Sequence, residues 1–154
     1  MHEKRYRITL LFNANKVYDR QVVEGVGEYL QASQTDWDIF IEEDFRCRID
    51  NIREWLGDGV IADYDDRSIE TLLSNVSVPI VGVGGSYHRQ EDYPPVHYIA
   101  TDNAALVEKA FLHLKEKGIN RFAFYGLPVS SGKRWAQERE QAFRQLVGRE
   151  RYQG

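Results

Sequence analysis

The sequence is poor in cysteine, in long apolar runs and in excess positive charge. Its 154 residues include one cysteine, Cys47, so no internal disulfide can form and no cysteine-based metal site is indicated. No apolar stretch approaches the ~20 residues of a membrane-spanning helix, so we expect no membrane partner. The net charge of −4 gives no basic surface for gripping a phosphate backbone, and we expect this chain alone to bind DNA poorly.

What the sequence does contain is the composition of a globular domain. Hydrophobic residues make up 42% and charged residues 29%, which excludes the disordered and collagen-like classes. The length predicts one domain at the usual ~150 residues per domain. The amino terminus, MHEKRYRITLLF, passes directly into a short apolar run without a signal-peptide pattern, and we expect a cytoplasmic location.

Short β-rich runs alternate with longer segments whose apolar residues recur at helical spacing, a pattern typical of repeated βαβ units. The predicted strands are Arg7–Phe12, Trp37–Ile41, Gly59–Ala62, Val78–Val83, Val96–Ala100 and Arg121–Tyr125. The predicted helices are Arg20–Gln31, Ile49–Leu56, Arg67–Leu73, Asn103–Lys117 and Lys133–Val147. We therefore predict an α/β fold with a doubly wound, mostly parallel sheet of about five strands. Thr101 or Asp102 is expected to cap the fourth helix, and Gly118 to end it.

Ligands of open α/β sheets bind outside the carboxyl ends of the strands, so the loops there are the places to examine. The first of these, NANKVYDR, lacks the glycines of a dinucleotide site. The run Gly82-Val83-Gly84-Gly85 has Tyr87 where a third glycine is needed, and packing is the alternative explanation for its glycines. GLPVSSGK is one residue too long for a phosphate loop. The sequence therefore favours neither nucleotide binding nor nucleoside triphosphate hydrolysis.

Acidic residues follow two of the predicted strands. They are Glu42, Glu43 and Asp44 after one strand, and Asp63, Asp65 and Asp66 after the next. Converging carboxylates can hold magnesium or accept hydrogen bonds from hydroxyls, but solvated loop charges and helix caps explain them equally. A receiver-like phosphotransfer or metal-binding module is the alternative function, although such a module needs acids and a lysine where Asn13 and Tyr125 stand.

The same loops mix aromatic rings with forked polar groups, a combination suited to a sugar. Rings pack on the C–H faces of sugars, while neighbouring hydroxyls take paired hydrogen bonds from Asp, Asn and Arg. The residues are Asn13, Tyr18, Asp19, Tyr64, Lys133, Arg134, Trp135 and Arg139. Structural explanations remain open, because Trp135 could be a core anchor, Asp19 a helix cap and the arginines surface charges.

The order of these segments resembles the periplasmic-binding-protein-like sensor domains of the lac and galactose repressor type. The resemblance covers nearly the whole chain through RITLLFNANKVYDRQVVEGV, DGVIADYD, VPIVGVGG, IATDNAALVEKAFLHLKEKGINRFAFYGLP and SSGKRWAQEREQAF. Within that group, YDRQVVEGVGEYLQ and GKRWAQERE are similar to the pentose-responsive transcription activators. The resemblance implies a Rossmann-like fold, with residues 1–154 as the amino-terminal lobe of a two-lobed, ligand-sensing domain.

The resemblance also implies partners. The effector would be D-xylose or a similar pentose held between two lobes, with no cofactor and no catalytic residue. The second lobe and the DNA-binding domain would lie outside this chain, so DNA would be bound through another domain. A homodimer is implied, with Ile49–Leu56 and Arg67–Leu73 as candidate contact helices, although packing on their own sheet explains the same residues. A transport binding protein would need an export signal.

The ligand contacts of the family fall on Asn13, Tyr18 and Asp19 after the first strand and on Arg139 in the last helix. Lys133 or Trp135 matches the loop before that helix. Gly84 and Gly85 stand where related sugar binders often carry an acid and an arginine, and Tyr64 is a plausible substitute contact. The predicted ligand-binding residues are therefore Asn13, Tyr18, Asp19, Tyr64, Lys133, Trp135 and Arg139.

Overall fold

The computed structural model describes residues 5–42, 56–87, 89–150 and 152. Most of the predicted helix Ile49–Leu56, and with it Cys47, Glu43 and Asp44, lies outside these residues. The chain divides into two units, one made of Met1–Val83 and Pro94–Ile99 and the other of Gly84–Tyr93 and Ala100–Gly154.

The helices and strands alternate as predicted, which confirms the α/β class. The strands are β1 (Tyr6–Leu11), β2 (Trp37–Glu42), β3 (Gly59–Asp63), β4 (Ile80–Gly84) and β5 (His97–Ala100). The helices are α1 (Val17–Ser33), α2 (Arg67–Leu73), α3 (Asn103–Glu116) and α4 (Arg134–Arg149), with short 3₁₀ turns at Gln90–Asp92 and Val129–Ser131. None of the helices in the described ranges is long and apolar enough to cross a membrane.

The five strands form one sheet in the order β2-β1-β3-β4-β5. The pairs β1 with β2, β1 with β3 and β3 with β4 are parallel. From β1 the chain moves outward to β2 and then returns past β1 to β3, so the direction of winding reverses between β1 and β3. In open parallel sheets this reversal leaves a crevice outside the carboxyl ends of the two strands.

Helices cover both faces of the sheet, as a doubly wound fold requires. On one face Leu10 and Phe12 pack with a group that includes Val22, Val23 and Val26 of α1. On the other face the core includes Leu11, Val60, Ala62 and, from α2, Ile69 and Leu73. Because alternate residues of a strand point to opposite faces, the apolar runs of β1 and β3 supply both cores.

The second unit has its own core between α3 and α4. It contains Val107, Phe111, Phe122, Leu146 and Val147. The ring centroids of Phe111 and Phe122 lie 4.7 Å apart. The predicted boundaries of α3 are confirmed at both ends: the Asp102 carboxylate accepts a 2.9 Å hydrogen bond from the Ala105 N–H, and Gly118 has a φ of 78° just after the helix.

The prediction of a strand over Arg121–Tyr125 was wrong. In the described part of the chain these residues join no ladder, and β5 is the fifth strand. Phe122 is buried in the core of the second unit, and the Phe124 ring lies 5.4 Å from that of Phe143. Tyr125, by contrast, is fully exposed. The two alternating phenylalanines thus pack their apolar surface against a pair of helices, and no strand partner is needed.

Candidate functional site

A cluster of charged side chains lies where β1 and β3 end, at the reversal of the sheet. Asn13 and Asp19 follow β1, as the sequence predicts for a ligand site. The structure adds Lys16 from the same loop and Asp63, the last residue of β3. We call Lys16, Asp19 and Asp63 the switch-point cluster.

The loop from β1 to α1 is held by hydrogen bonds rather than by glycine. The Lys16 N–H donates to the Asn13 carbonyl at 2.9 Å, and the Asn15 N–H donates to the side-chain oxygen of Asn13 at 3.0 Å. The Arg20 guanidinium donates to the Ala14 carbonyl. These contacts fix Lys16 immediately before α1.

Asp19 is a buried carboxylate that does not cap the helix, so the capping interpretation was wrong. The helix begins at Val17, which places Asp19 in its first turn, and the side chain is 1% exposed. Its Oδ2 accepts a hydrogen bond of 2.8 Å from the Asn13 N–H. The contact ties the end of β1 to α1 and leaves further acceptor capacity on the carboxylate.

Asp63 is buried as deeply, at 2% exposure, but is satisfied on both oxygens. Its Oδ2 accepts from the Lys16 ammonium at 2.5 Å, and its Oδ1 accepts from the Asp65 N–H at 2.9 Å. A buried carboxylate needs such partners because its desolvation is expensive. The Lys16–Asp63 ion pair thus joins the loop after β1 to the end of β3.

The cluster perturbs the titration of its members. Burial raises the pKa of Asp19 to about 6, the Asn13 N–H and the Lys16 charge lower it, and the neighbouring Asp63 raises it. Burial lowers the pKa of Lys16, but the hydrogen bond and charge of Asp63 outweigh this effect and the net pKa is raised. Asp19 is therefore poised to change charge close to neutral pH.

The two predicted tyrosines differ in burial. Tyr18 lies in α1 and is 38% exposed. Tyr64 is 4% exposed and belongs to the core of the first unit. A Cβ on Gly82 would come within 2.9 Å of its ring, so Gly82 is where the backbone makes room for Tyr64. The structure therefore confirms the packing explanation for Gly82. The role of Tyr64 as a ligand contact stays a prediction.

The acidic loop residues have separate roles. Asp66 caps α2, because its carboxylate accepts a 2.9 Å hydrogen bond from the Ser68 N–H. Asp63 belongs to the switch-point cluster. Across residues 5–42, 56–87 and 89–150, no three His, Cys, Asp or Glu side chains are grouped so that they could hold a metal ion.

The second unit contains a polar network centred on Asn103, which is 3% exposed. Its Nδ2 donates to the Gly85 carbonyl and to the Glu138 carboxylate, both at 2.8 Å. Its Oδ1 accepts from Arg139 Nε at 2.9 Å. Asn103 therefore fixes the predicted arginine on one edge of its guanidinium.

The other predicted residues of this unit surround the start of α4. The Arg139 guanidinium lies 4.8 Å from the Trp135 ring centroid, and Trp135 is half-buried. Arg134 stacks over Tyr87 at 5.3 Å. Lys133 is exposed and immediately precedes the helix. Trp135 and Arg139 are thus brought together, and the cation–π contact holds the flat face of the arginine.

Three of these supporting residues were missed as members of a site. Lys16, Asn103 and Glu138 lie within the segments that carry the family resemblance, but their contacts follow from pairing across elements. Asp63 was noted as a residue after a strand, which was the available signal. The burial of an aspartate at the end of a strand predicts a cationic partner, but only the strand order shows that this partner lies after β1.

The fold is that of one class of protein, the periplasmic-binding-protein-like domains. A solved protein of this class from Alkaliphilus metalliredigens QYMF, described as a periplasmic binding protein/LacI transcriptional regulator complexed with D-xylulofuranose, shares the fold at a TM-score of 0.68 and 18% identity. It covers 96% of this chain, which spans 54% of that protein. The predicted fold class is confirmed.

Within that class, a model of the XylR N-terminal domain matches residues 7–104, and the chain belongs to this family. The xylose operon regulatory protein of Escherichia coli (strain K12) is 80% identical over 154 residues. A solved structure of the xylose-binding transcription activator xylR superposes with a TM-score of 0.84 and 76% identity over 96% of this chain. The family resemblance inferred from the sequence is confirmed.

The chain spans only part of these relatives. It corresponds to 39% of the length of the Escherichia coli protein and to 37% of the solved regulator chain. The names of both relatives are those of transcription regulators, and neither name describes a receiver-like phosphotransfer module.

Proposed function

We propose that this chain is the amino-terminal lobe of the ligand-sensing part of a DNA-binding activator of D-xylose catabolism. The observation that carries the proposal is Asp19, a buried carboxylate with acceptor capacity to spare at the reversal of a parallel sheet. The regulators to which the chain is 80% and 76% identical are named for xylose, which supports a pentose as the ligand.

The chemistry of the candidate contacts fits the hydroxyls of a sugar. An ionised Asp19 accepts hydrogen bonds from neighbouring hydroxyls, and the Asn13 amide can donate to them. Tyr18 supplies an exposed ring for a C–H face. We propose the same kinds of contact for Lys133, Trp135 and Arg139 in the second unit, with Tyr64 as a substitute contact.

The proposal also covers what the sugar does. A ligand shifts a conformational equilibrium only by binding one state more tightly than the other, so the pentose must favour one arrangement of the regulator. We propose that a second lobe completes the ligand site, that the protein is a homodimer, and that a separate domain contacts DNA. The chain then senses a ligand, without a cofactor and without catalysing a reaction.

The test is titration calorimetry of the full-length protein with D-xylose, L-arabinose, D-ribose and D-glucose. We expect D-xylose to bind selectively. Asp19→Ala and Arg139→Ala should each weaken binding by at least about 30-fold, because each removes a charge-assisted hydrogen bond worth about 2–3 kcal/mol.

Lys109→Ala is the matched control, because Lys109 is exposed on α3 and belongs to neither group. Its affinity should equal that of the wild type. Absence of binding to all four sugars, or unchanged affinity in both site variants, would contradict the proposal.

A further inference from the structure

The switch-point cluster contains more charge than a sugar contact requires. Asp63 already has a protein donor on each oxygen, so about half of its acceptor capacity is used within the protein, whereas Asp19 accepts on one oxygen only. The Lys16 ammonium is directed at Asp63. The pair belongs to the same cluster as Asp19, the residue proposed to bind the sugar, and a direct sugar contact does not account for it.

We propose that Lys16 and Asp63 are positioning residues, which hold Asp19 at the crevice and set the pH range over which the lobe accepts sugar. This inference rests on the proposed function, because it takes Asp19 as the sugar contact. Asp19 and Lys16 are both hydrogen-bonded to Asn13, one to its N–H and the other to its carbonyl, and the Lys16 ammonium contacts Asp63 at the end of β3. Both carboxylates are buried while the Lys16 side chain is 38% exposed, so the charges of the cluster interact more strongly than they would in water.

The charges near Asp19 differ in how they act. Lys16 favours the ionised form of its carboxyl, and Asp63 disfavours it. Asp66 acts on Lys16. Two further charged residues line a cavity of about 210 Å³ together with Asp19, namely Arg20 and Glu24. Because Lys16 and Asp63 have opposite signs, removing them must change the titration of Asp19 in opposite directions.

The ionised carboxylate accepts hydrogen bonds on both oxygens, whereas the protonated acid has one oxygen that mainly donates. The pKa of Asp19, about 6, places this change within the range that a binding experiment can cover. Sugar affinity should therefore rise as the pH increases through about 6 and level off above it.

The test is calorimetric titration of the full-length protein with D-xylose between about pH 5 and pH 8.5. Asp63→Asn should move the midpoint of the affinity profile to lower pH, and Lys16→Met should move it to higher pH, each by about half a unit or more. Lys16→Arg restores the charge and should return the midpoint toward the wild type. Lys109→Gln, on the exposed surface of α3, is the control.

A purely structural role would weaken binding in both variants without moving the two midpoints apart. That result, or no shift in either variant, would overturn the inference while leaving sugar binding in place. If the wild type bound no sugar, the proposed function would fail instead. Carbon-13 titration of the Asp19 carboxyl in the ligand-free protein would then decide the positioning role, with the same opposite shifts expected. Should Asp63→Asn fail to fold, the Lys16→Met and Lys16→Arg pair decides alone.

Discussion

The burial of Asp19, the proposed sugar contact, lowers the stability of the folded chain when its carboxyl is ionised. The folded chain raises its pKa from 3.8 to about 6 because of burial, with Asp63 adding to the effect. The folded state therefore holds more protons than the unfolded state between these values. The stabilising contribution of Asp19 is complete below 3.8 and is lost as the pH rises through about 6.

We predict that Asp19→Asn stabilises the protein at about pH 8. The amide removes a buried negative charge while its oxygen can still accept from the Asn13 N–H. The gain should be about 1–3 kcal/mol, since one pKa unit corresponds to about 1.4 kcal/mol. Urea unfolding at several pH values would measure it, and the difference from the wild type should shrink toward about pH 4. A variant that is less stable at alkaline pH would contradict the prediction.

Asn103 has the opposite character, because it stabilises its unit. It makes three hydrogen bonds, to Gly85, Glu138 and Arg139, from a buried position. We expect Asn103→Ala to lower the free energy of unfolding by about 2–3 kcal/mol, because it leaves polar partners without their bond. Asn120→Ala, at an exposed loop position, is the control. Urea denaturation would show both effects, and equal stability of the two variants would exclude the network as a structural element.

At the scale of elements, glycines with different backbone conformations should respond differently to the same substitution. Gly27 lies inside α1 with nothing within 4 Å of an added Cβ, whereas Gly118 has a φ of +78°. Gly27→Ala should stabilise the protein by about 0.5–1 kcal/mol, and Gly118→Ala should destabilise it by about 1 kcal/mol. Thermal unfolding measures both, and shifts of the same sign would be inconsistent with these conformations.

Gly82 should tolerate substitution less well than either of these glycines. A Cβ there would lie 2.9 Å from the Tyr64 ring and 3.1 Å from that of Tyr98. We expect Gly82→Ala to destabilise the protein by about 1–3 kcal/mol through overpacking. Gly25→Ala, with open space around its Cβ, is the comparison. A circular dichroism melt that showed no difference between these variants would mean that the Tyr64 ring can move.

The elements that the sequence predicts well are those whose signals are local. Asp102 and Gly118 mark the ends of α3 because capping and a positive φ depend on single residues. Burial is less local: Leu106 and Leu114 are apolar residues of α3, but both are exposed. The apolar alternation of Arg121–Tyr125 describes its two phenylalanines correctly, but it cannot say whether a strand or a pair of helices receives them.

At the scale of the molecule, the loops after the strands were predictable as a place, because parallel sheets bind ligands at one edge. Asn13 and Asp19 were found in this way. Lys16 was not found. Its contact with Asp63 depends on β3 lying on the side of β1 opposite β2, which brings Asp63 to a loop 47 residues earlier in the chain. Pairing across a topological reversal leaves no pattern in one sequence.

The charge of the whole chain bears on how the full-length protein would bind DNA. The net charge is −4, and Lys16 and Lys115 are engaged by Asp63 and Glu150. If another domain contacts DNA, neutralising exposed cations of this chain must leave the salt dependence of binding unchanged. Losing three phosphate contacts would reduce the magnitude of the slope of log K against log salt by about 2.7.

We therefore expect the triple alanine variant at Lys109, Lys117 and Arg121, all exposed, to retain the wild-type slope. Fluorescence anisotropy of the full-length protein on its DNA between about 50 and 200 mM salt measures this slope. A clear decrease would mean that this chain itself contacts the phosphate backbone, and the proposed separation of sensing from DNA binding would not hold.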